Sequence, residues 1–263
     1  MSLSATTDPA APLVALRGVG KIFASGTRAL AGLDLDIRPG EFVSLLGPSG
    51  CGKSTALRII AGLSEPTSGM VEWPQAEAAA ARSIGFVFQE PTLMPWATVA
   101  ANVRLPLKLA GLEPNAQLRV DAALARVGLS AFAQSYPREL SGGMKMRTSI
   151  ARALVTEPSL LLMDEPFAAL DEITRFRLNN DLLGLWQALG KTVVFVTHSV
   201  FESVYLSQRI VVMTRRPGRV FTELSINATY PRDKHFRTSA EYGGYCRQVS
   251  EALAHASGAT DEP

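Results

Sequence analysis

The sequence is poor in cysteine and lacks a long hydrophobic run. Its 263 residues include only Cys51 and Cys246, too few for a disulfide framework, so a reducing compartment is expected. No stretch reaches the roughly 18 uninterrupted apolar residues that a membrane-spanning helix needs. Residues 1–12 lack the charged start and the apolar block of a signal peptide. We therefore expect any association with a membrane to depend on a partner.

An excess of charge of one sign is also missing. Lys and Arg number 26 against 24 Asp and Glu, which leaves a net charge of +2. A balance this close to zero provides no broad basic field for nucleic acid, so no nucleic-acid partner is expected. Arg215, Arg216 and Arg219 form a local basic cluster, which we interpret as a solvated turn around Pro217-Gly218.

Short apolar runs that alternate with helical sequence indicate an α/β fold. Hydrophobic residues make up 47% of the chain, enough for a substantial core. The predicted buried strands are 42–46, 84–88, 160–163, 192–196 and 210–213. Helical sequence at 55–63 and 172–189 separates some of them, and this rhythm predicts a parallel sheet covered by helices.

Other segments depart from this rhythm. Alternating segments between residues 13 and 37 predict an N-terminal antiparallel β subdomain. Residues from about 91 to 145 carry helix-favouring sequence and no strong β run, which predicts an inserted helical subdomain. For the rest of the chain we expect a flexible tail at 1–12, a main domain at 13–230, and a C-terminal tail of unknown role at 231–263 with a turn at Tyr242–Tyr245.

A glycine-rich segment after a predicted strand fits the pattern G-x-x-x-x-G-K-[ST]. Its glycines let successive backbone N–H groups point at phosphate oxygens, and the next helix presents its positive end to the same anion. Lys53 can reach the β- and γ-phosphates of a nucleotide, and the Ser54 hydroxyl can bind Mg²⁺. The motif predicts a P-loop NTPase with a RecA-like parallel sheet core. Its predicted nucleotide-binding residues are Gly47, Pro48, Ser49, Gly50, Cys51, Gly52, Lys53, Ser54 and Thr55.

Two adjacent acidic residues follow the predicted strand at 160–163. Ligands of a parallel sheet lie at the carboxyl ends of its strands, so Asp164 and Glu165 should face the same site as the glycine-rich segment. Neighbouring strand residues point in opposite directions, which allows the two carboxylates different tasks. We predict that Asp164 binds Mg²⁺ and that Glu165 orients and polarises the attacking water.

Further motifs narrow the class of NTPase. Leu140-Ser141-Gly142-Gly143-Met144 resembles the signature motif of ABC-type ATPases, in which Ser141 caps a helix whose N-terminus meets a phosphate. The other motifs of that family have counterparts in the family's order: Phe23 resembles the aromatic that stacks on adenine, Gln89 the Q-loop glutamine, Asp171 the D-loop aspartate, and His198 the switch histidine.

The resemblance implies a catalytic site shared between two chains. In this family two copies pair head to tail, and each signature motif closes on the ATP held by the other copy. The resemblance implies catalytic roles for Lys53, Glu165 and His198. It also adds Gln89 to Ser54 and Asp164 as residues around Mg²⁺, so that ATP and Mg²⁺ are the implied cofactors.

Within the family, some stretches resemble the ATPases of nitrate, sulfonate and taurine importers, and related systems carry pyrimidine vitamin precursors. These stretches are Gln89-Glu90-Pro91, residues 164–171 and Arg216-Pro217-Gly218-Arg219. The resemblance implies transmembrane permease subunits, a separate solute-binding protein, and a peripheral position on the cytoplasmic face of the inner membrane. Two positions depart from the common pattern: Met146 replaces a glutamine, and Ser199 replaces an acid after the histidine.

Three other functions stay open at this point. An exporter-type ATPase that moves lipids or lipoproteins would carry the same motifs. A soluble ABC ATPase of translation or DNA repair typically has tandem ATPase halves or long coiled coils, and neither is visible here. A regulatory domain that binds ATP without splitting it would not need Glu165 and His198.

Overall fold

The computed structural model describes residues 11–74 and 83–258 of the chain. Within these ranges the strands are β1 (Val14–Ile22), β2 (Arg28–Ile37), β3 (Phe42–Leu46), β4 (Ser68–Glu72), β5 (Ile84–Val87), β6 (Leu160–Asp164), β7 (Thr192–Thr197), β8 (Arg209–Met213) and β9 (Val220–Ser225). The helices are α1 (Lys53–Ile60), α2 (Val99–Leu109), α3 (Ala116–Arg126), α4 (Gly142–Leu154), α5 (Glu172–Leu189), α6 (Val200–Leu206), α7 (Lys234–Arg237) and α8 (Ala240–Ala256).

The N-terminal segment forms a three-stranded antiparallel sheet, which confirms the predicted β subdomain. β1 lies between β2 and β4 in this sheet. In β2 the side chains of Leu33, Leu35 and Ile37 are buried, whereas Asp34 and Asp36 between them are exposed. This alternation is the two-residue period of a strand with one buried face. β4 was not predicted, because its residues are mostly exposed and show no apolar alternation.

The main sheet has six strands in the order β5-β6-β7-β3-β8-β9. Neighbouring strands run parallel except for β9, which pairs antiparallel with β8 at the edge. Every residue of β3, β6, β7 and β8 is buried, as expected for strands covered on both faces. The predicted parallel core is therefore confirmed, and β9 is an edge strand that the sequence analysis did not include.

The helices between β5 and β6 pack around an apolar core of their own. Their buried residues include Val99, Val103 and Leu107 of α2 and Val120 and Leu124 of α3, which meet Ala151 of α4. Two apolar side chains of this region face outwards, since Trp96 is 77% exposed and Leu109 is 79% exposed. By contrast, the other two tryptophans, Trp73 and Trp186, are each only 9% exposed.

The segment after Pro231 forms α7 and α8, and the predicted turn at Tyr242–Tyr245 is wrong. These residues lie inside α8, whose first turn is capped by the Ser239 hydroxyl accepting a hydrogen bond from the Tyr242 N–H at 3.1 Å. Tyr242, Cys246 and Val249 lie about one helical turn apart and are buried in the core of the main sheet. This packing energy outweighs the weak helix propensity of the two glycines between them.

No helix within residues 11–74 and 83–258 is both long enough and apolar enough to cross a membrane.

Candidate functional site

Three strands of the main sheet end at the same level and carry the predicted site residues. Leu46 of β3 pairs with Thr197 of β7, and Asp164 of β6 pairs with Val196 of β7. The glycine-rich segment after β3, Glu165 after β6 and His198 after β7 therefore emerge together at the carboxyl edge of the sheet, where α/β folds bind ligands.

The glycine-rich segment has a backbone that requires glycine at two positions. Gly50 has φ of 73° and Gly52 has φ of 108°, both in the left-handed region. A Cβ atom at Gly52 would also lie 2.8 Å from the Ala29 carbonyl oxygen. Gly52 occupies the N-cap position of α1 and has no side chain to cap it, so the N–H groups of the first turn are available to an anion.

Lys53 lies at the centre of this segment and is only 4% exposed. Its Nζ donates to the Gly47 carbonyl at 2.7 Å and to the Pro48 carbonyl at 3.1 Å, and it lies 3.9 Å from Oε1 of Glu165. A buried ammonium group is costly unless hydrogen bonds and an opposite charge compensate it. The carbonyls hold Lys53 across the loop, with its charge directed to the anion-binding turn.

Ser54 and Asp164 form a second contact across the site. The Ser54 hydroxyl donates to Oδ1 of Asp164 at 2.7 Å. Asp164 is only 7% exposed, and this burial raises its pKa, while the hydrogen bond from Ser54 opposes the shift. The pair offers hydroxyl and carboxylate oxygens, the donors that Mg²⁺ prefers. Gln89 is exposed, and no hydrogen bond in the described part of the chain joins it to either residue.

Glu165 connects Lys53 with His198. Its Oε2 lies 3.2 Å from Nδ1 of His198, and its backbone N–H donates to the Val196 carbonyl at 3.0 Å. Glu165 has φ of 45°, an uncommon conformation for a residue with a side chain, and such conformations concentrate at functional sites. The His198 side chain is about half exposed, so this end of the chain of contacts is open to solvent.

A cavity beside Lys53 brings the glycine-rich segment together with the β subdomain. It is lined by Phe23, Thr27, Ala29, Gly50, Gly52, Lys53, Ser54, Thr55, Glu165 and Arg216. Phe23 is 42% exposed there, which leaves its ring accessible. Arg216 is exposed, as expected for the predicted solvated turn. Its Nε also donates to the Gly50 carbonyl at 3.0 Å, a contact that the sequence does not predict. Only the tertiary fold brings together these two residues, which lie 166 positions apart.

The segment at 140–144 lies elsewhere and does not line this cavity. The Ser141 hydroxyl caps α4 by accepting from the Met144 N–H at 3.3 Å, and Ser141 and Gly142 are exposed. A Cβ atom at Gly142 would touch Leu170, and one at Gly143 would crowd Thr174 at 2.9 Å. The segment thus packs against the predicted D-loop of its own chain.

Asp171 of that predicted D-loop caps α5 and also lies outside the cavity. Its Oδ1 accepts from the Thr174 N–H at 2.9 Å, and this hydrogen bond lowers the pKa of Asp171. The described residues therefore contain two glycine-rich helix starts, of which only residues 47–55 meet acidic side chains within this chain.

The comparison with known families agrees with this geometry. The family model described as ABC transporter matches residues 30–168, more than half of the chain. The chain belongs to the ABC transporter family. Its fold is the predicted P-loop NTPase fold, and as an ABC ATPase it binds and hydrolyses ATP.

Relatives of this ABC ATPase match most of its length. An uncharacterised ABC transporter ATP-binding protein of Methanocaldococcus jannaschii is 48% identical over 228 residues, which cover 86% of this chain and 84% of that protein. The aliphatic sulfonates import ATP-binding protein SsuB of Bacillus subtilis is 45% identical over 206 residues, covering 78% of this chain and 80% of that protein.

A solved relative shows the same architecture. A dimeric ATP-binding cassette, determined in a post-hydrolysis state with bound ADP and Pi, is 35% identical and superposes with a TM-score of 0.70. The match covers 82% of this chain and 100% of that one.

The two departures from the common sequence pattern have simple structural settings in this ABC ATPase. Met146 is 2% exposed and lies in the core of the main sheet. Ser199 caps α6, because its hydroxyl accepts from the Glu202 N–H at 3.3 Å. Neither residue lines the cavity beside Lys53.

Proposed function

We propose that this chain is the ATP-binding subunit of an importer and that ATP hydrolysis in a head-to-tail dimer drives solute uptake through separate membrane subunits. The observation that carries the shared ATP site of this proposal is the contrast between the two glycine-rich helix starts, and the sulfonate import relative supports import. Residues 47–55 meet Asp164 and Glu165 of the same chain, whereas Ser141 and Gly142 are exposed and meet no such group.

Hydrolysis is assigned to the three linked side chains at the strand ends. Glu165 accepts a proton from the attacking water or orients that water, as a carboxylate in hydrogen-bond reach can. His198 lies 3.2 Å from Glu165, so it can hold this carboxylate and also reach the terminal phosphate. Lys53 supplies positive charge where negative charge develops on the phosphate oxygens.

Mg²⁺ fits the pair formed by Ser54 and Asp164. Burial raises the pKa of Asp164, and a divalent cation beside its carboxylate would oppose this shift. The described residues contain no group of three His, Cys, Asp or Glu side chains suited to a metal, so phosphate and water oxygens would complete the ligand set. The bound ion supplies neutralisation of phosphate charge. Gln89 is proposed as a further neighbour on the basis of the family resemblance.

The dimer is proposed because an exposed anion-binding helix start needs a phosphate from outside its own chain. The N-terminus of α4 carries partial positive charge, and its exposed Ser141 and Gly142 offer a hydroxyl and a backbone N–H group. The solved relative described above is dimeric. Asp171 lies beside this segment and would enter the same interface.

The membrane subunits are proposed to dock in a groove between the main sheet and the helical insertion. The groove has a volume of about 290 Å³, and its apolar lining includes Phe86, Phe88, Leu105 and Leu109. A short amphipathic helix of a permease would bury these side chains. Gln89 lies between Phe88 and Thr92, which both line the groove, so a partner docked there would be close to Gln89. A chain held in this way would be peripheral, on the cytoplasmic face of the inner membrane.

Import of a small solute is the proposed direction of transport. The sulfonate import relative supports sulfonate-like solutes, and nitrate, taurine and pyrimidine precursors belong to the same proposal. The solute would be selected by the permease and by a separate solute-binding protein.

Mixing two inactive variants tests the shared site. Lys53→Ala removes the phosphate-binding ammonium, and Ser141→Arg blocks the exposed helix start, so each variant alone should lose hydrolysis. In a mixed head-to-tail dimer, one site combines the intact Lys53 of one chain with the intact Ser141 of the other. We therefore expect phosphate release to reappear on mixing. Mixed samples that form dimers with ATP yet release no phosphate above either variant alone would contradict the shared site.

A further inference from the structure

The turn between β8 and β9 places a positive charge on the nucleotide side of residues 47–55. Nε of Arg216 donates to the Gly50 carbonyl at 3.0 Å, and Arg216 lines the same cavity as Phe23 and Lys53. A Cβ atom built on Gly50 would lie 3.0 Å from a terminal nitrogen of Arg216. The guanidinium group therefore lies against the glycine-rich segment at Gly50.

Backbone hydrogen bonds fix this turn against the β subdomain. The Gly218 N–H donates to the Ala29 carbonyl at 2.8 Å, and the Ala31 N–H donates to the Gly218 carbonyl at 3.1 Å. Gly218 is buried, and a Cβ atom there would collide with the Cys51 carbonyl oxygen. The turn thus lies directly on the glycine-rich segment, with no space for a side chain between them.

The turn is also closed internally by Thr214. The Thr214 N–H donates to the Arg219 carbonyl at 3.0 Å. The Thr214 hydroxyl accepts from the Arg219 N–H at 3.1 Å and donates to the Pro217 carbonyl at 3.2 Å. A turn held at both of its ends keeps the Arg216 side chain in place before a ligand arrives, which lowers the entropic cost of binding.

The guanidinium group retains donors that no described residue uses. Arginine has five N–H donors, and Arg216 makes one hydrogen bond, through Nε, and no ion pair within residues 11–74 and 83–258. The acidic residue of the cavity, Glu165, is directed to Lys53 and His198 instead. A planar cation with unused donors beside a phosphate-binding loop is suited to a phosphate oxygen.

We propose that Arg216 is a nucleotide-binding residue whose terminal N–H groups contact a phosphate that ATP and ADP have in common. Arg216 shares this cavity with Phe23, the residue expected to stack on adenine, as well as with Lys53 and Glu165. The phosphates nearest the adenine are present in both ATP and ADP. This inference rests on the proposed nucleotide site and adds to it a contact from the turn between β8 and β9.

Titration calorimetry with ATP and with ADP tests the contact. Arg216→Ala should weaken the binding of both nucleotides by a similar factor of about tenfold, equivalent to about 1.4 kcal/mol. The kcat at saturating ATP should stay close to the wild-type value, while KM rises. Arg219→Ala is the matched control, since Arg219 is an exposed arginine of the same turn that contributes only backbone hydrogen bonds.

Three further substitutions distinguish the effect of the Arg216 charge from the effect of holding the turn against the glycine-rich segment. Arg216→Lys keeps the charge and should recover part of the affinity. Arg216→Gln keeps a donor for the Gly50 carbonyl without the charge and should bind as weakly as Arg216→Ala. Gly218→Ala, which displaces the turn and leaves Arg216 intact, should also weaken both nucleotides.

The proposal is overturned if Arg216→Ala binds ADP as tightly as wild type, or if Arg216→Gln restores full affinity. A loss confined to ATP would also overturn it. The melting temperature without nucleotide provides a check on folding. A wild-type chain that bound no ATP would instead refute the nucleotide site itself. Lys53→Ala provides the reference for the nucleotide affinity of a chain in which that site is disabled.

Discussion

Residues 47–55 and residues 140–144 both place glycines and a hydroxyl at the start of a helix, but their surroundings differ. In the first segment Lys53 is 4% exposed, and Ser54 is bonded to Asp164. In the second segment Ser141 and Gly142 are exposed, and their neighbours are Leu170 and Thr174. The first helix start is surrounded by cationic and acidic side chains of its own chain. The second has only backbone dipoles and a hydroxyl group.

The difference shows how one structural device can serve two roles. At the first segment the N-cap is Gly52, so all the first-turn N–H groups stay available to a phosphate. At the second segment Ser141 satisfies one of these N–H groups and thus stabilises α4 without any ligand. The Ser141 cap therefore stabilises the start of α4 in the absence of a bound phosphate.

The largest expected effect concerns chemistry at the first segment alone. Glu165→Gln keeps the shape of the side chain and removes its basic oxygen, so hydrolysis should fall by about 10³-fold. ATP binding and ATP-driven dimerisation should persist. Phosphate release measures hydrolysis, and gel filtration with ATP measures dimerisation. Glu172→Gln, an acid at the start of α5 that does not line the cavity beside Lys53, is the control. Hydrolysis at the wild-type rate in Glu165→Gln would exclude Glu165 from its role.

The next effect concerns the second segment. Ser141→Glu places a carboxylate where the phosphate of a partner chain is expected, so dimerisation with ATP and hydrolysis should fall by about 100-fold. Binding of ATP to the monomer, measured by fluorescence titration, should not change. Ser130→Glu adds the same charge at an exposed site of the helical insertion as a control. Loss of monomer binding in Ser141→Glu would show that the two segments are not independent.

A smaller effect follows from the raised pKa of Asp164. The folded state holds a proton on this carboxyl more tightly than the unfolded state does, so its contribution to stability falls as pH rises from the ordinary Asp pKa to the raised one. Asp164→Asn removes this penalty and should raise the melting temperature at neutral pH by about 2–4 °C.

The same variant should lose the extra stability that Mg²⁺ with ATP gives to the wild-type chain. Calorimetric scans with and without Mg²⁺ and ATP measure both results. An Asp164→Asn melting temperature that rises with Mg²⁺ and ATP as much as the wild type's would argue against metal binding at Asp164.

The smallest effect is expected on the buried face of α4. Met146→Gln restores the residue common in the family but buries an amide in an apolar core, which should cost about 1–3 kcal/mol of the free energy of unfolding. Because Met146 lies outside the cavity, kcat should change less than about twofold. Denaturant unfolding and phosphate release test this, with Met146→Leu as the control. A large change in kcat would link the core of α4 to the second segment.

The parallel core and the first segment could be predicted because their signals are local. A fully buried strand appears in the sequence as a short apolar run. The phosphate-binding motif at residues 47–55 follows one of these strands, β3, directly. β4 gave no such signal, since it is exposed, and β9 shows exposed positions alternating with half-buried ones. α8 was not predicted because Gly243 and Gly244 have weak helix propensity. The burial of Tyr242 and Val249 in the core stabilises the helix.

The contacts within the site were only partly predictable. The pairing of Ser54 with Asp164 follows from strands that end at one edge of a sheet. The contact of Arg216 with Gly50 depends on the path of a turn after β8, which no local pattern specifies. The roles of Gln89 and Asp171 stay predictions from the family resemblance.

Trp96 gives the chain an optical probe of its own. Its indole ring is 77% exposed on the helical insertion, whereas Trp73 and Trp186 are largely enclosed. Collisional quenchers in solution should therefore act mainly on Trp96. A membrane protein that covers the insertion near this ring would shield its fluorescence, so assembly could be followed in real time without attaching a label.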